Sequence, residues 1–564
     1  MSNSLIVHPA ILLMAAAFVV PVLRGAARSS AILAAPVLAM VALWFLPEGR
    51  LWTTDWLDYS LAPLVVDKLS RLFATIFILM AFAGGMFALR QESRLEIPAA
   101  FLYAGSAVGV VLAGDLVTVF VFWEVMAVGS TLVIWSANTP LASSASLRYA
   151  MIHLAGGVIL FAGVAGHLLG TGDATFTRMQ ADSIAHWLIL AGFLINAGAP
   201  PLSAWLSDAY PEASWSGMVF LSAFTTKTAV YVLLRGFPGT EVLIWVGLFM
   251  VFYGIVFALL ENDMRRILAY SIVNQVGFMI TGIGIGTELA LNGAAAHAFC
   301  HIIYKALLLM SAGTVLAATG RRKCSELGGL FHSMPLTTIC GTIGALAISS
   351  FPLTSGFVSK SMISQAAADG HMQTVWLLLA AASAGVFLHA GIKFPWFVFF
   401  QKDSGLRPAD PPASMRWAMI LFAFLCIALG AWPEPLYALM PYPVDYIPYT
   451  GAHVITQLQL LLFSGLAFFV MLSFLKRTLT ITLDVDWIWR VVIPSAIQAG
   501  SSGLIALKTC GTYKLEAWSS ALRALVVHHQ RPGGILIRSR PTRSMAMWVM
   551  VMLLAYLLVY YLGR

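Results

Sequence analysis

The sequence contains sixteen separate apolar runs of about the length that an α-helix needs to cross a bilayer. Such a helix takes roughly 17–25 mostly apolar residues, because each residue rises only about 1.5 Å through a core about 30 Å thick. The predicted spans are 4–23, 31–47, 70–89, 97–113, 115–136, 150–169, 186–206, 216–234, 243–260, 265–286, 291–318, 335–364, 374–400, 417–432, 457–474 and 545–562. Charged residues make up 10% of the chain, against about 25% in a soluble domain. We therefore predict an all-α polytopic membrane protein with about 14–16 transmembrane helices.

Positive charge collects in alternate loops, which is the bias that keeps basic loops in the cytoplasm. Ten Lys/Arg and three Asp/Glu lie between Lys476 and Arg543, so this segment holds nearly all of the net charge of +8. The bias predicts that this segment is cytoplasmic and that both termini are periplasmic, in a bacterial inner membrane. The first apolar run is followed by Arg24 and Arg28 without a clean cleavage site, so we interpret it as a spanning helix. The basic segment has no nucleic-acid-binding motif, and no nucleic-acid partner is expected.

A short motif occurs twice, in the seventh and the twelfth span. Residues 200–207 read PPLSAWLS and residues 351–359 read FPLTSGFVS, and each lies in the middle of an apolar run. Proline removes a backbone donor and frees carbonyls, so both spans are predicted to be broken helices. Because the two motifs are five spans apart, their units would have opposite topology, as in transporters built from inverted repeats. Ordinary proline kinks are the alternative interpretation.

Ionisable residues fall in the middle of several spans, where a charge costs at least about 2.5–3.5 kcal/mol. Glu124 lies in the fifth span and Lys227 in the eighth. His297, His301 and Lys305 lie in the eleventh span at i, i+4 and i+8, and therefore share one helix face. Residues of this kind persist in a membrane where they have a partner, a hydrated cavity or a function.

Further ionisable residues extend this set. Lys360 follows the break in the twelfth span, and His389 and Lys393 lie one turn apart in the thirteenth. Structural roles are the alternatives: a salt bridge between Glu124 and Lys227, hydrogen bonds between helices, or a snorkelling Lys393. Taken together, the residues predict a chain of titratable groups along which protons move, because histidine and desolvated lysine exchange protons readily.

Motifs for cofactors and metals are absent from the sequence. It has no phosphate-binding loop, no dinucleotide fingerprint and no haem or iron–sulfur spacing. The five cysteines are scattered without a CxxC pair, which indicates neither a metal cluster nor a disulfide framework. No cofactor, metal or catalytic redox site is therefore expected in this chain, and the energy for transport would come from an ion gradient or a partner subunit.

From Gly114 to Lys393 the sequence resembles the antiporter-like subunit family. This family includes the D subunit of Mrp-type multisubunit Na⁺/H⁺ antiporters and the proton-pumping membrane subunits of respiratory complex I. The motifs that carry the resemblance are Gly114–Thr118 with Phe122–Glu124, Pro201–Tyr210, Lys227–Tyr231, Asp263–Ser271, His301–Leu307 and Gly356–Lys360. The resemblance implies two inverted five-helix units around a hydrated central axis.

The resemblance also implies roles for individual residues. Glu124 is similar to the glutamate of the family's fifth helix and Lys227 to the lysine of its eighth. Lys305 is similar to the central lysine of the eleventh helix, and Lys360 to the terminal lysine of the twelfth.

The sequence departs from the family pattern in the seventh span. The lysine that usually pairs with the glutamate is replaced by Asn196, and the usual Pro-Leu-His-x-Trp-Leu-Pro has Ser203 and Ser207 instead. Lys227 is one substitute for the missing partner. If Lys227 does not replace this lysine, the proton path through the first repeat would work differently or would not conduct.

These observations predict six regions. They are 1–96, helices 1–3; 97–234, the first repeat; 243–400, the second repeat; 401–474, helices 14–15; 475–544, a basic amphipathic cytoplasmic segment; and 545–564, a final transmembrane helix.

The predicted function is that of a proton- and cation-translocating subunit of a multisubunit Mrp-like antiporter. The predicted path runs through Glu124, Lys227, His297, His301, Lys305 and Lys360, with Asn196, His389 and Lys393 as possible additional members. The expected partners are other membrane subunits, lipid, protons, and Na⁺ or another monovalent cation. Three alternatives stay open: a proton-pumping subunit of a complex I-like or hydrogenase-type oxidoreductase, an energising partner of another uptake system, and a non-conducting scaffold.

Overall fold

The computed structural model describes residues 6–473, 484, 487–531 and 542–562. The chain divides into two compact units, Met1–Asp486 and Trp487–Arg564. The first residues of the predicted first span, and the parts 475–483, 485–486 and 532–541 of the predicted basic segment, lie outside the described residues.

Each of the sixteen predicted spans coincides with helical structure. The helices of the first unit are α1 (Pro9–Val19), α2 (Gly25–Phe45), α3 (Lys68–Phe87), α4 (Glu96–Leu112), α5 (Leu116–Trp135), α6 (Pro140–Thr171), α7 (Ile184–Ala197), α8 (Trp205–Ala209), α9 (Gly217–Leu221), α10 (Thr225–Gly236), α11 (Val242–Leu260), α12 (Met264–Ile285), α13 (Glu288–Thr319), α14 (Pro335–Ile348), α15 (Ser355–Asp369), α16 (Gln373–Val386), α17 (Ala413–Ala431), α18 (Glu434–Tyr437) and α19 (Gly451–Val470). In the described part of the chain, twelve helices are long and apolar enough to cross a bilayer, and four apolar helices are shorter. The predicted all-α polytopic fold is confirmed.

A β-hairpin follows α2, and the sequence pattern does not predict it. Strand β1 (Gly49–Trp56) pairs antiparallel with β2 (Tyr59–Val66). Each strand has eight residues, too few for a membrane span, and the charged residues around the turn are typical of a loop. The hairpin attaches to the start of α5, because the Ala62 amide donates to the carboxylate of Asp115 at 2.8 Å.

The structure contains an internal repeat that is clearest in its two longest transmembrane helices. Helices α6 and α13 both have 32 residues. Each is preceded by a capping threonine whose side chain accepts a backbone hydrogen bond, Thr139 in one and Thr287 in the other. Each is followed by a capping glycine in the left-handed conformation, Gly172 or Gly320, where a side chain would be strained. Helices of equal length, five spans apart, with the same caps are what inverted repeats predict.

Helices α5 and α12, which precede α6 and α13, also have matching caps. Asp115 caps the N-terminus of α5, and Asp263 caps that of α12. Each aspartate also forms an isolated antiparallel bridge with the loop that follows the long helix, through Thr175 in the first repeat and Lys323 in the second. These shared caps and bridges are the correspondence that two five-helix units of opposite topology would produce.

Among the residues that the structure describes, three spans are interrupted. The two predicted breaks are present, between α7 and α8 and between α14 and α15. The eighth span, predicted over 216–234, is present over Gly217–Gly236, and it contains a third break for which the sequence carries no proline signal. The span is divided into α9 and α10, and the carbonyl of Ser222 at the break accepts a hydrogen bond from a lysine side chain.

The second unit contains helices α20 (Ile493–His529) and α21 (Thr542–Leu562). Helix α21 corresponds to the predicted final span. Helix α20 lies inside the segment predicted to be basic and amphipathic, whose placement on the cytoplasmic surface stays a prediction.

Candidate functional site

Helix α13 brings His297, His301 and Lys305 together on one buried face, as the spacing predicts. All three side chains have no exposed surface. His297 Nε2 lies 3.0 Å from Gln275 Oε1 on α12, and its Nδ1 lies 3.1 Å from Ser359 Oγ on α15. The sequence pattern does not identify Gln275 or Ser359 as site residues, because neither is spaced at a helical repeat from another polar residue of the predicted path.

Lys305 binds oxygen atoms of α12. Its Nζ donates to Ser271 Oγ at 2.8 Å and to the carbonyl of Leu268 at 3.4 Å. These oxygens accept a hydrogen bond from an ammonium and from a neutral amine alike. The contacts can therefore hold the side chain in place while its protonation state changes.

Two further lysines bind carbonyls that helix breaks leave free. Lys227 Nζ donates to the carbonyl of Ser222 at 2.6 Å and to Thr226 Oγ1 at 3.1 Å. Lys360 Nζ donates at 3.1 Å to the carbonyl of Ile348, the last residue of α14. Both lysines are buried, with 0% and 2% exposure. In the described part of the chain, Lys227, Lys305 and Lys360 form no ion pair with a carboxylate.

His301 lies between His297 and Lys305 without a fixed partner. Among the described residues, neither of its ring nitrogens has a hydrogen-bond partner. Its ring is perpendicular to that of Tyr304, with centroids 5.2 Å apart, and lies 6.3 Å from the ring of His297. A histidine without a fixed hydrogen bond can adopt either tautomer, which suits a group that passes protons.

Glu124 lies on α5 and is half-buried against α6. A Cβ atom at Gly157 would overlap Glu124 Oε1, so the carboxylate occupies space that only a glycine leaves open. Within the described residues Oε1 has no hydrogen-bond partner. The hydrogen bonds of Lys227 go to Ser222 and Thr226, so the structure does not contain the Glu124–Lys227 salt bridge considered from the sequence.

Asn196 lies in the last turn of α7, at the position where a lysine was expected. Its Oδ1 lies 2.8 Å from Nδ1 of His153 on α6, and both side chains are 1% exposed. The sequence pattern gives no reason to select His153, because a single histidine in an apolar run has no spacing partner.

His389 and Lys393 lie in a π-helical segment, Phe387–Lys393, that continues α16. His389 Nδ1 donates to the carbonyl of Gly385 at 2.8 Å. Lys393 Nζ donates to three carbonyls at the end of α11, those of Ala258 (3.1 Å), Leu259 (2.6 Å) and Glu261 (2.5 Å). The ammonium thus caps the C-terminus of α11, a place where positive charge is stabilising.

We expect Lys393→Met to lower the stability of the protein by about 1–3 kcal/mol, because three buried carbonyls lose their donor. The measurement is the thermal unfolding midpoint of the purified complex, with the exposed Lys323→Met as the control. An unchanged midpoint together with lost proton flux would contradict the capping role and favour a place in the path.

Comparison with known proteins shows which family this chain belongs to. The sequence profile described as "NADH:quinone oxidoreductase/Mrp antiporter, TM" matches residues 113–387. The D subunit of the Na⁺/H⁺ antiporter of Alkalihalophilus pseudofirmus is 30% identical, over 67% of this chain and 82% of that protein. The chain belongs to this family of membrane subunits, and the resemblance predicted from the motifs is confirmed.

Two further comparisons agree. The A/B subunit of a probable K⁺/H⁺ antiporter of Rhizobium meliloti is 29% identical, over 64% of this chain; the match spans 39% of that longer protein. The solved structure of the Mrp complex from Dietzia sp. DQ12-45-1b contains a chain with a TM-score of 0.66 and 22% identity, covering 77% of this chain and 92% of that one. The fold of this chain is therefore that of an antiporter-like membrane subunit.

Proposed function

We propose that this chain is the proton- and cation-translocating subunit of a multisubunit cation/proton antiporter of the Mrp type. The observation that carries the proposal is the set of buried lysines, Lys227, Lys305 and Lys360, held by hydroxyl and carbonyl oxygens without a carboxylate partner among the described residues. A lysine that serves only to join helices would be paired, because an unpaired buried charge is costly. The similarity to an Na⁺/H⁺ antiporter subunit supports Na⁺ as one candidate cation.

The proposed path runs along the membrane plane from Glu124 through Lys227 to the face of α13 that carries His297, His301 and Lys305, and on to Lys360. Protons pass between neighbouring groups by exchange of hydrogen bonds, so the mechanism forms no covalent intermediate. The path also includes His389, whose Nε2 has no hydrogen-bond partner in the described structure.

Other membrane subunits are proposed to cover the face that carries Glu124. This face is apolar and exposed, with Val121 and Val128 on α5 both 54% exposed and Val158 on α6 61% exposed. Lipid tails cannot donate a hydrogen bond to a half-buried carboxylate, whereas a helix of a neighbouring subunit can. The charge bias of the loops further supports a bacterial inner membrane with both termini periplasmic.

The second candidate is a proton-pumping subunit of a complex I-like oxidoreductase. The family description favours it, since it names NADH:quinone oxidoreductase beside the Mrp antiporters. In that case the energy would come from electron transfer in partner subunits.

The test is proton flux in inverted vesicles that contain the whole native complex. We expect Na⁺, K⁺ or another monovalent cation to release protons from acid-loaded vesicles, and vesicles from a strain that lacks the complex serve as the control. Flux that is insensitive to every such cation, together with iron–sulfur proteins in the purified complex, would overturn the antiporter and favour the oxidoreductase.

A further inference from the structure

We infer that His153 is a further proton-carrying residue of the first repeat, between Glu124 and Lys227, in the half of the molecule where Asn196 supplies no titratable group. This inference rests on the proposed function and assigns a residue to it. It follows from three observations: the position of His153 in the repeat, its hydrogen bonds, and the polar groups on either side of it.

The internal repeat places His153 in register with His301, on the face of α13 that also carries His297 and Lys305. Helices α6 and α13 have equal lengths and the same caps, so their residues correspond by position along the helix. His153 and His301 are both the fourteenth residue of their helices. At the eighteenth position, one turn further, α13 carries Lys305, and α6 carries the glycine against which Glu124 lies. Thus both repeats place a buried histidine one helical turn from an ionisable side chain.

The hydrogen bonds of His153 leave one ring nitrogen ready to accept a proton. Nδ1 lies 2.8 Å from Asn196 Oδ1, and an amide oxygen is an acceptor, so Nδ1 carries the hydrogen and Nε2 carries the lone pair. Nε2 and Asn196 Nδ2 both have no hydrogen-bond partner among the described residues. Leaving a buried polar atom unpaired is destabilising, and a residue used only for packing would avoid this cost.

Aromatic neighbours hold the imidazole in this orientation. The Trp205 ring lies at 79° to it with centroids 4.7 Å apart, and Trp205 Nε1 is itself fixed by donating to the carbonyl of Ile195 at 2.9 Å. The Tyr149 ring centroid lies 4.0 Å from that of the imidazole, and the Tyr149 and Trp205 rings also pack edge to face with centroids 5.4 Å apart. The ring is therefore positioned by its neighbours, while Nε2 stays uncommitted.

Hydroxyl groups continue from Tyr149 towards Lys227. The Tyr149 hydroxyl donates to Ser130 Oγ at 3.0 Å and lies 3.3 Å from Thr225 Oγ1. Thr225 Oγ1 is also 2.5 Å from the hydroxyl of Tyr103. Thr225 is the first residue of α10, two residues before Lys227. A row of hydroxyls thus leads from the tyrosine that packs on His153 to the first residue of α10, the helix that carries Lys227.

The transfer step is a simple proton exchange. The protonated carboxyl of Glu124 gives its proton to Nε2 of His153, which leaves a carboxylate and an imidazolium. The imidazolium then releases a proton through the hydroxyl row to the neutral amine of Lys227, so the charge is conserved at each step.

The first test replaces His153 by glutamine, which keeps a side-chain amide for Asn196 but cannot carry a proton. In vesicles with the whole complex, His153→Gln is expected to reduce cation-driven proton flux by about 10²-fold, the usual size of a lost proton-transfer group. Lys305→Ala is measured beside it, with the exposed His332→Gln as the control. Wild-type flux in His153→Gln with lost flux in Lys305→Ala overturns the inference and leaves the proposed function standing. Absence of flux in the wild type overturns both.

A second variant decides the matter if His153→Gln does not assemble. Asn196→Asp is isosteric and puts a carboxylate next to Nδ1, which stabilises the imidazolium. The pH at which flux is half-maximal should then rise by about one unit or more. A histidine that only packs predicts an unchanged pH profile, and that result overturns the inference. The other titratable groups near His153 are Tyr149 on α6 itself and Glu124 on α5, and Tyr210 after α8 packs on Tyr149.

Discussion

Replacing Lys305 by alanine is expected to reduce cation-driven proton flux by about 10²-fold while the complex still assembles. The amine of Lys305 is buried and binds Ser271 Oγ and the carbonyl of Leu268, with no carboxylate partner in the described structure. Alanine therefore removes the proton-carrying group without leaving a buried carboxylate unpaired. The flux is measured in inverted vesicles, and assembly is measured as the amount of complex recovered on purification.

Arginine at the same position separates charge from proton exchange. Arginine keeps the positive charge but does not release its proton in proteins, so Lys305→Arg should lose flux as alanine does. Lys323→Ala, at an exposed lysine, is the matched control and should behave as wild type. If Lys305→Ala assembled and kept its flux, the path proposed through the second repeat would be wrong.

Gly157→Ala is expected to reduce flux by up to about 10²-fold, through the displacement of Glu124. The new Cβ would overlap Glu124 Oε1 and would lie 2.9 Å from its Cδ. A carboxylate at the end of a flexible side chain can rotate away, so the fold should tolerate the change. Misplacing a reacting group by about 1 Å is enough to cost 10²-fold in rate.

The same helix offers a matched control for this substitution. An added Cβ at Gly170 meets no atom within 4 Å, so Gly170→Ala should leave both flux and assembly unchanged. Equal flux in both variants would show that the position of the Glu124 carboxylate does not matter for transport.

Much of the fold could be predicted because its signals are local. Span length follows from bilayer thickness, and the breaks at 200–207 and 351–359 carry a proline that disrupts the helical hydrogen bonds. The face shared by His297, His301 and Lys305 follows from helical periodicity alone. Each of these features depends on residues close together in the chain.

The rest depends on contacts between residues far apart in the chain. The break at Ser222 has no proline, and its free carbonyl is satisfied by Lys227. Likewise, no local signal relates Arg148 to Asp208, yet their side chains form an ion pair at 2.7 Å. His153 belongs to the same class, because its significance comes from the correspondence of α6 with α13.

Gly157 and Lys305 are the same position in the two repeats, and they show how duplicated halves can diverge. In one half the long helix supplies the ionisable group itself. In the first repeat the long helix α6 has a glycine at this position, and the neighbouring helix α5 supplies the Glu124 carboxylate in the space that the glycine leaves. The two arrangements exclude each other, since a lysine at position 157 would have to expel Glu124. Converting the first repeat into a copy of the second would therefore require at least two substitutions, one at position 157 and one at position 124. No single substitution exchanges the one arrangement for the other.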